Sequence, residues 1–201
     1  MNFTDVLKGR VNLLSKEARA CFAAACATRL VPGYKIIWEL DHIGEPSQLE
    51  NSMEFVWNAV LEGHFDQIRL EEQLEKVMQL VKLGEKKRVQ DQFKEDAAAA
   101  VAYALRSLSS GNIEDPVSAA VRAIESTYSY CKVTTKSKLR GPALVAEMFE
   151  QPALKLENAR QMRDLDDLTN GLSEGMASNI KSRAELERAL PNDAISIGPP
   201  L

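Results

Sequence analysis

Between Leu70 and Val81 the apolar residues recur at i, i+4, i+7 and i+11, as Leu70, Leu74, Val77 and Val81. Met78 and Leu80 widen this stripe, while Glu71, Glu72, Glu75, Lys76 and Lys82 fall mostly off it. A 3.6-residue period with charge on the far side predicts an amphipathic helix whose stripe faces a core. The same period governs most of the chain. Strand-like alternation is nearly absent, and Ala, Leu, Glu, Lys, Arg and Gln dominate, all good helix formers.

Start and stop signals divide the chain into segments. A first helix is expected from Thr4 to Leu14, with Thr4 as N-cap, and Ser15 is placed to cap a second. That second helix is expected to stop near Val31. Pro32 lacks an N–H and disfavours helix at the residue before it. A short helix from Tyr34 to Asp41 follows, then a turn at Gly44-Glu-Pro46-Ser47 and a helix from Gln48 to Leu61. Gly84 to Arg88 reads as a solvated loop. A very alanine-rich helix runs from Asp91 or Gln92 to Ser109; its small side chains permit close backbone approach, so it is expected at the centre of the bundle.

Pro116 suits the first turn of the next helix, which is expected to reach Tyr130. Thr134 to Ser137 reads as a loop, and Gly141-Pro142 opens another helix. Pro152 falls inside an otherwise helical run to Leu172 and predicts a kink or break there, with Gly171 and Gly175 marking the end of the run. Ser182, with Glu185 completing a capping box, is expected to start a last helix to Leu190. The sequence therefore predicts an all-α fold, a single-domain bundle of about eight helices over residues 1–190. Residues 191–201 form a C-terminal tail, extended in part at Ile195-Ser-Ile197.

Composition narrows the function classes. At 201 residues with 45% apolar side chains the chain can build a substantial core. The net charge of −4 argues against a general nucleic-acid binder, which needs a basic face for phosphates. The longest apolar run, Ala97 to Leu105, is about half of what a membrane helix needs, so no membrane partner is expected. Cys21, Cys26 and Cys131 are an odd number without a CxxC pair and read as reduced, buried thiols. The first ten residues lack a basic start followed by an apolar core, so no signal peptide is expected. The expected location is the cytoplasm.

Candidate chemistry is sparse. Glu39-Leu-Asp-His42 places a carboxylate and an imidazole one helical turn apart, as in half of a di-iron motif; the chain holds one such pair and two histidines in all. Glu39 and His42 are thus weak metal candidates, and no cofactor is expected. No glycines of a nucleophile elbow surround a serine or cysteine, and no glycine-rich phosphate loop is present. Asp164, Asp166 and Asp167 read as a solvated face on which Arg160 and Arg163, each four residues earlier, pair with Asp164 and Asp167. Lys132, Lys136, Lys138 and Arg140 form a basic cluster, read as a solvated loop that could meet an acidic partner. Tyr34, Trp38 and Trp57, with Phe55, read as core or groove aromatics; an exposed one would mark a contact surface.

The ordered set Phe22, Cys26, Arg29, Pro32 and Tyr34, followed by Gly44 and Trp57, resembles the YjaG-like family of bacterial proteins. The likeness continues at Asp96-Ala97, at Ser110-Gly111 and at Ser178-Asn179-Ile180, and spans roughly residues 15 to 180. Lys181 stands where that pattern has glycine. The resemblance implies an all-helical fold, a bacterial source and a domain of unknown function, with no catalytic residues to carry over. Arg29 and Pro32-Gly-Tyr34 read as structural, the arginine bonding the last carbonyls of its helix.

Two functional readings follow. The preferred one is a non-enzymatic protein-binding helical protein of the inhibitor, immunity or adaptor kind, with a protein partner or self-association. It rests on small size, acidic balance and the lack of catalytic motifs. The alternative is an enzyme or ligand-binding bundle with a buried site around Glu39, His42, Tyr34 and Trp57.

Overall fold

Ser15 is extended, and its hydroxyl accepts the Ala18 N–H at 3.2 Å. That cap starts a helix that does not stop at Pro32. It runs unbroken from Lys16 to Asp41, correcting the two-helix expectation for this stretch. A proline inside a helix costs ~3 kcal/mol. Beyond it lie Tyr34 and Ile37, both buried, and a fully buried large apolar side chain contributes ~1.5–3 kcal/mol. Keeping the helix in register places both in the core, and packing outweighs the lost backbone bond.

The chain is seen in a computed structural model that describes residues 3–81 and 89–189. Among the described residues there are nine helices and no strand, in line with the predicted all-α bundle. They are α1 (Phe3–Asn12), α2 (Lys16–Asp41), α3 (Pro46–Glu62), α4 (Gln67–Val81), α5 (Val89–Ser109), α6 (Glu114–Thr135), α7 (Gly141–Phe149), α8 (Pro152–Thr169) and α9 (Glu174–Leu186). The expected loop at Gly84–Arg88 and the expected tail at 191–201 lie outside the described residues. No helix of the described residues is long and apolar enough to cross a membrane.

Two alanine-rich helices make the centre. Every residue from Ala20 to Ala27 in α2 is buried, as is every residue from Ala97 to Ala102 in α5. Small side chains let these helices approach closely, and α2 and α5 share the most extensive contact in the bundle. The alanine-rich α5 is central as expected, but it shares that place with α2. Helices α3, α4, α6 and α9 pack around the pair. On α4 the predicted stripe faces inward at Leu70 and Val77, which are buried, with Leu74 and Val81 partly covered. A second apolar cluster of Ile124, Cys131, Met148 and Leu154 joins α6, α7 and α8.

Pro152 does break the helical run: Gln151 is extended and Pro152 opens α8. The last helix starts earlier than predicted, because Ser173 caps it by accepting the Met176 N–H at 3.2 Å. Ser182 lies inside α9, which ends at Leu186. Gly175, expected to stop a helix, occupies the first turn of α9, where a glycine is tolerated. Helix α6 continues through Thr135, past the predicted end at Tyr130, and stops at Lys136 in the left-handed region (φ 49°).

Candidate functional site

Helix α8 carries a polar stripe where a core stripe is expected. Leu154, Glu157, Gln161, Asp164 and Leu168 follow a three-four spacing and are all buried. Arg29, in the middle of α2 and equally buried, meets them. Its Nη1 donates to Asp164 Oδ2 at 2.8 Å and its Nη2 to Glu157 Oε1 at 3.3 Å. Gln161 Nε2 donates to the same Glu157 oxygen at 2.9 Å and to the Ala120 carbonyl at 3.1 Å, tying in α6. Arg183 of α9 bridges Asp164 and Asp167 at 3.0 and 2.6 Å. Arg163 grips Glu187 through both Nη atoms, and Arg160 donates to the Arg188 carbonyl at 2.8 Å.

This arrangement corrects two sequence expectations. Arg29 does not cap a helix end; it is a buried cation in mid-helix. The aspartates of α8 do not form one solvated face: Asp164 is buried, while Asp166 points outward to Arg10. Four guanidiniums (Arg29, Arg160, Arg163, Arg183) face four carboxylates (Glu157, Asp164, Asp167, Glu187). The charges balance, so the cluster acts as an internal clamp between α2, α8 and α9. Burial disfavours the Arg29 cation, but Glu157 and Asp164 outweigh that effect and hold it charged. Burial pushes the Cys21 thiol up to about 12. It pushes Cys26 up as well, against the opposing pull of Arg29 3.5 Å away. Neither sulfur is a thiolate near neutral pH, so neither is a ready nucleophile.

The residues singled out in the sequence fall in different surroundings. Tyr34 is buried, and burial raises its hydroxyl while a backbone bond at Glu45 lowers it. Its hydroxyl fills the space a side chain on Gly44 would need, and Gly44 itself has φ +92°. Tyr34 therefore clasps the α2–α3 turn. Trp38 is half-buried and meets the His42 ring edge-on, centroids 5.2 Å apart. His42 is the left-handed C-cap of α2, donating its N–H to the Trp38 carbonyl at 2.7 Å. Glu39 and His42 are both exposed, so these two do not share the buried surroundings of Tyr34 and Trp57. Among the described residues, no group of three or more His, Cys, Asp and Glu side chains is placed to hold a metal ion.

Trp57 is the one of these aromatics that both sits in the core and lines a groove. Its Nε1 donates to Thr28 Oγ1 at 2.9 Å, and that hydroxyl donates to the Ala24 carbonyl at 2.8 Å. The groove, about 380 Å³, lies between α2, α3 and α9. Thr28, Val31, Pro32, Met53 and Trp57 form its floor, and Glu50, Glu54, Glu185 and Lys181 its rim. Pro32 gives no N–H to the Thr28 carbonyl one turn back, so this floor carries an acceptor that its own helix does not use. Glu50 pairs with Lys35 at 3.0 Å and Glu185 with Lys181 at 3.9 Å, and Glu54 leaves the rim with a net negative charge. Along α3, Glu50, Glu54, Asn58 and Glu62 repeat every fourth residue on the exposed side. Beyond that ridge a second, more polar cleft of about 580 Å³ opens between α3 and α4. There the Arg69 guanidinium covers the Phe55 ring at 5.8 Å.

Sequence reasoning missed Glu157 and Gln161 and placed Asp164 on a solvated face. Their signal was present, since they continue the spacing set by Leu154 and Leu168. It also missed the rim of the groove, whose members come from α3 and α9 and meet only in the fold.

The chain belongs to the DUF416 family, described as a protein of unknown function, whose model matches residues 7–196. The resemblance read from the sequence was to a family of unknown function, and the match is described as DUF416 rather than as YjaG-like. Among solved structures, the chain is similar to the crystal structure of a DUF416 family protein from Shewanella baltica OS155 at 1.91 Å resolution. The two are 17% identical, with a TM-score of 0.77 over 92% of this chain and 93% of that one. At that identity the likeness shows a shared fold. Among curated proteins none matches this chain.

Proposed function

We propose that this is a non-enzymatic protein-binding scaffold, of the adaptor, inhibitor or immunity kind, that takes a basic segment of a partner in the groove over Trp57. The observation that carries the reading is the groove's composition: an apolar floor of Met53, Trp57 and Pro32 inside a rim of Glu50, Glu54 and Glu185. Apolar floors with charged rims are the anatomy of protein interfaces, where the floor supplies affinity and the rim supplies steering and register. The alanine core and the buried clamp hold α2, α3 and α9 in place, so the groove is preformed and little ordering opposes binding. All three cysteines are buried and unpaired, which suits the cytoplasm.

The test is a comparison of two tagged proteins in lysate of the source cells at low salt. One is wild type and the other carries Glu50→Lys, Glu54→Lys and Glu185→Lys. A partner retained stoichiometrically by the first and lost by the second is expected. Equal retention by both would remove the groove from the account.

A further inference from the structure

Helix α7 is the apolar counterpart of this acidic groove. Its sequence, Gly141-Pro-Ala-Leu-Val-Ala-Glu-Met-Phe149, is almost wholly apolar, yet only Met148 is buried. Val145 is 44% exposed and Leu139, just before the helix, 47%. Leu144 and Phe149 pack with Met148 on the second apolar cluster, which leaves an outward strip of Leu139, Ala143, Val145 and Ala146 that can serve as an interaction surface. The residues leading into it are basic. Lys132, Lys136, Lys138 and Arg140 are all exposed, and among the described residues none is ion-paired. The surface thus offers apolar side chains with a net positive edge, four basic side chains against Glu147, whose carboxylate accepts from the Ser137 hydroxyl.

The groove offers the reverse, an apolar floor with a negative edge. The two surfaces are separate on one molecule. Helix α7 rests on α6 and α8, whereas the groove is built by α2, α3 and α9. We propose that α7 and the basic run before it dock in the acidic groove of a second copy of this chain. The inference rests on reading the groove as a protein-binding site, and it names the occupant. Because the two contacting surfaces differ, the contact is head to tail and propagates into rings or open chains rather than closing as a symmetric pair. The rim charges are solvent-exposed, so the association weakens as salt rises.

Sedimentation velocity of the full chain, over a concentration series at low and high salt, reads this directly. At low salt the weight-average mass is expected to rise with concentration beyond twice the monomer mass, and to fall back towards the monomer at high salt. Two charge-reversed variants sharpen the test. One carries Lys136→Glu, Lys138→Glu and Arg140→Glu; the other carries Glu50→Lys, Glu54→Lys and Glu185→Lys. Each alone is expected to stay monomeric, because its α7 edge and its groove then have the same sign. An equal mixture is expected to associate, since each variant's α7 edge matches the other's groove. All six side chains are exposed, and circular dichroism checks that both variants fold.

A wild type that stays monomeric at high concentration and low salt would overturn the proposal, as would a mixture that does not associate. Monomeric wild type that pelleted with phosphatidylserine vesicles, and lost this on reversal of the α7 charges, would overturn it in favour of a lipid surface. If the chain is monomeric but still retains a partner through Glu50, Glu54 and Glu185, self-docking fails while the protein-binding reading stands. Loss of both would end that reading as well.

Discussion

Arg29 and Asp164 stand 135 positions apart in the chain and form a 2.8 Å ion pair with both side chains buried. Each charge alone would be expensive to bury; together, with Glu157 and Arg183 alongside, they lock α8 and α9 onto the central helix. Breaking such a pair by removing one partner costs ~3–5 kcal/mol, because the other charge is left without compensation. Arg29→Met is therefore expected to destabilise the fold by about that amount in urea unfolding. A variant as stable as wild type at pH 7 would show that the clamp contributes little.

Asp96 titrates where most carboxylates do not. Burial raises it to about 7, and Arg122 at 3.2 Å only partly opposes the shift; one of its oxygens, Oδ2, has no hydrogen-bond partner. The sign follows from linkage. A carboxyl raised from 3.8 to about 7 keeps its proton in the fold after the unfolded chain has lost it. Its contribution is most favourable below about pH 4, declines between about 4 and 7, and is flat above that range. Asp96→Asn is expected to remove this slope and to stabilise the protein by on the order of 1 kcal/mol at pH 8. Thermal unfolding of both proteins from pH 4 to 8 measures it.

Pro32 offers a test of the continuous α2. Since the helix runs through it, Pro32→Ala returns an N–H to the Thr28 carbonyl and should raise stability by about 1–3 kcal/mol. Were α2 two helices joined at a turn, the same change would destabilise the protein, because proline would then suit the site.

Gly44 holds a positive φ against the Tyr34 hydroxyl. Gly44→Ala is expected to cost about 1–3 kcal/mol in chemical denaturation. Pairing it with Tyr34→Phe should recover only part of the loss, since removing the hydroxyl relieves the clash but not the backbone strain. Full recovery would assign the whole effect to the clash.

Much of the fold was legible in the chain. The stripe of α4, the alanine run of α5, the Ser15 cap and the break at Pro152 are local signals, and each acts through the few residues around it. The misreadings came where tertiary burial overrode a local rule. Pro32 is a breaker by propensity, but Tyr34 and Ile37 are buried beyond it. Ser182 and Glu185 form a capping-box pattern, but Ser173 nucleates the helix one turn after Thr169. Asp164 looks solvated beside Arg160 and Asp167 in sequence. Its partners Arg29 and Arg183 come from other helices, and no local spacing announces them. The groove was half legible, because Trp57 was singled out but its rim was not.

The central claim is that the acidic groove over Trp57 holds a protein segment. A photo-crosslinking amino acid placed at Lys181, on the α9 side of the groove rim, tests it most directly when irradiated in intact source cells. The account predicts one dominant protein adduct that disappears when Glu50, Glu54 and Glu185 are changed to lysine, with the α7 segment of a second copy as the crosslinked peptide. No adduct, or one indifferent to those three charges, would contradict it.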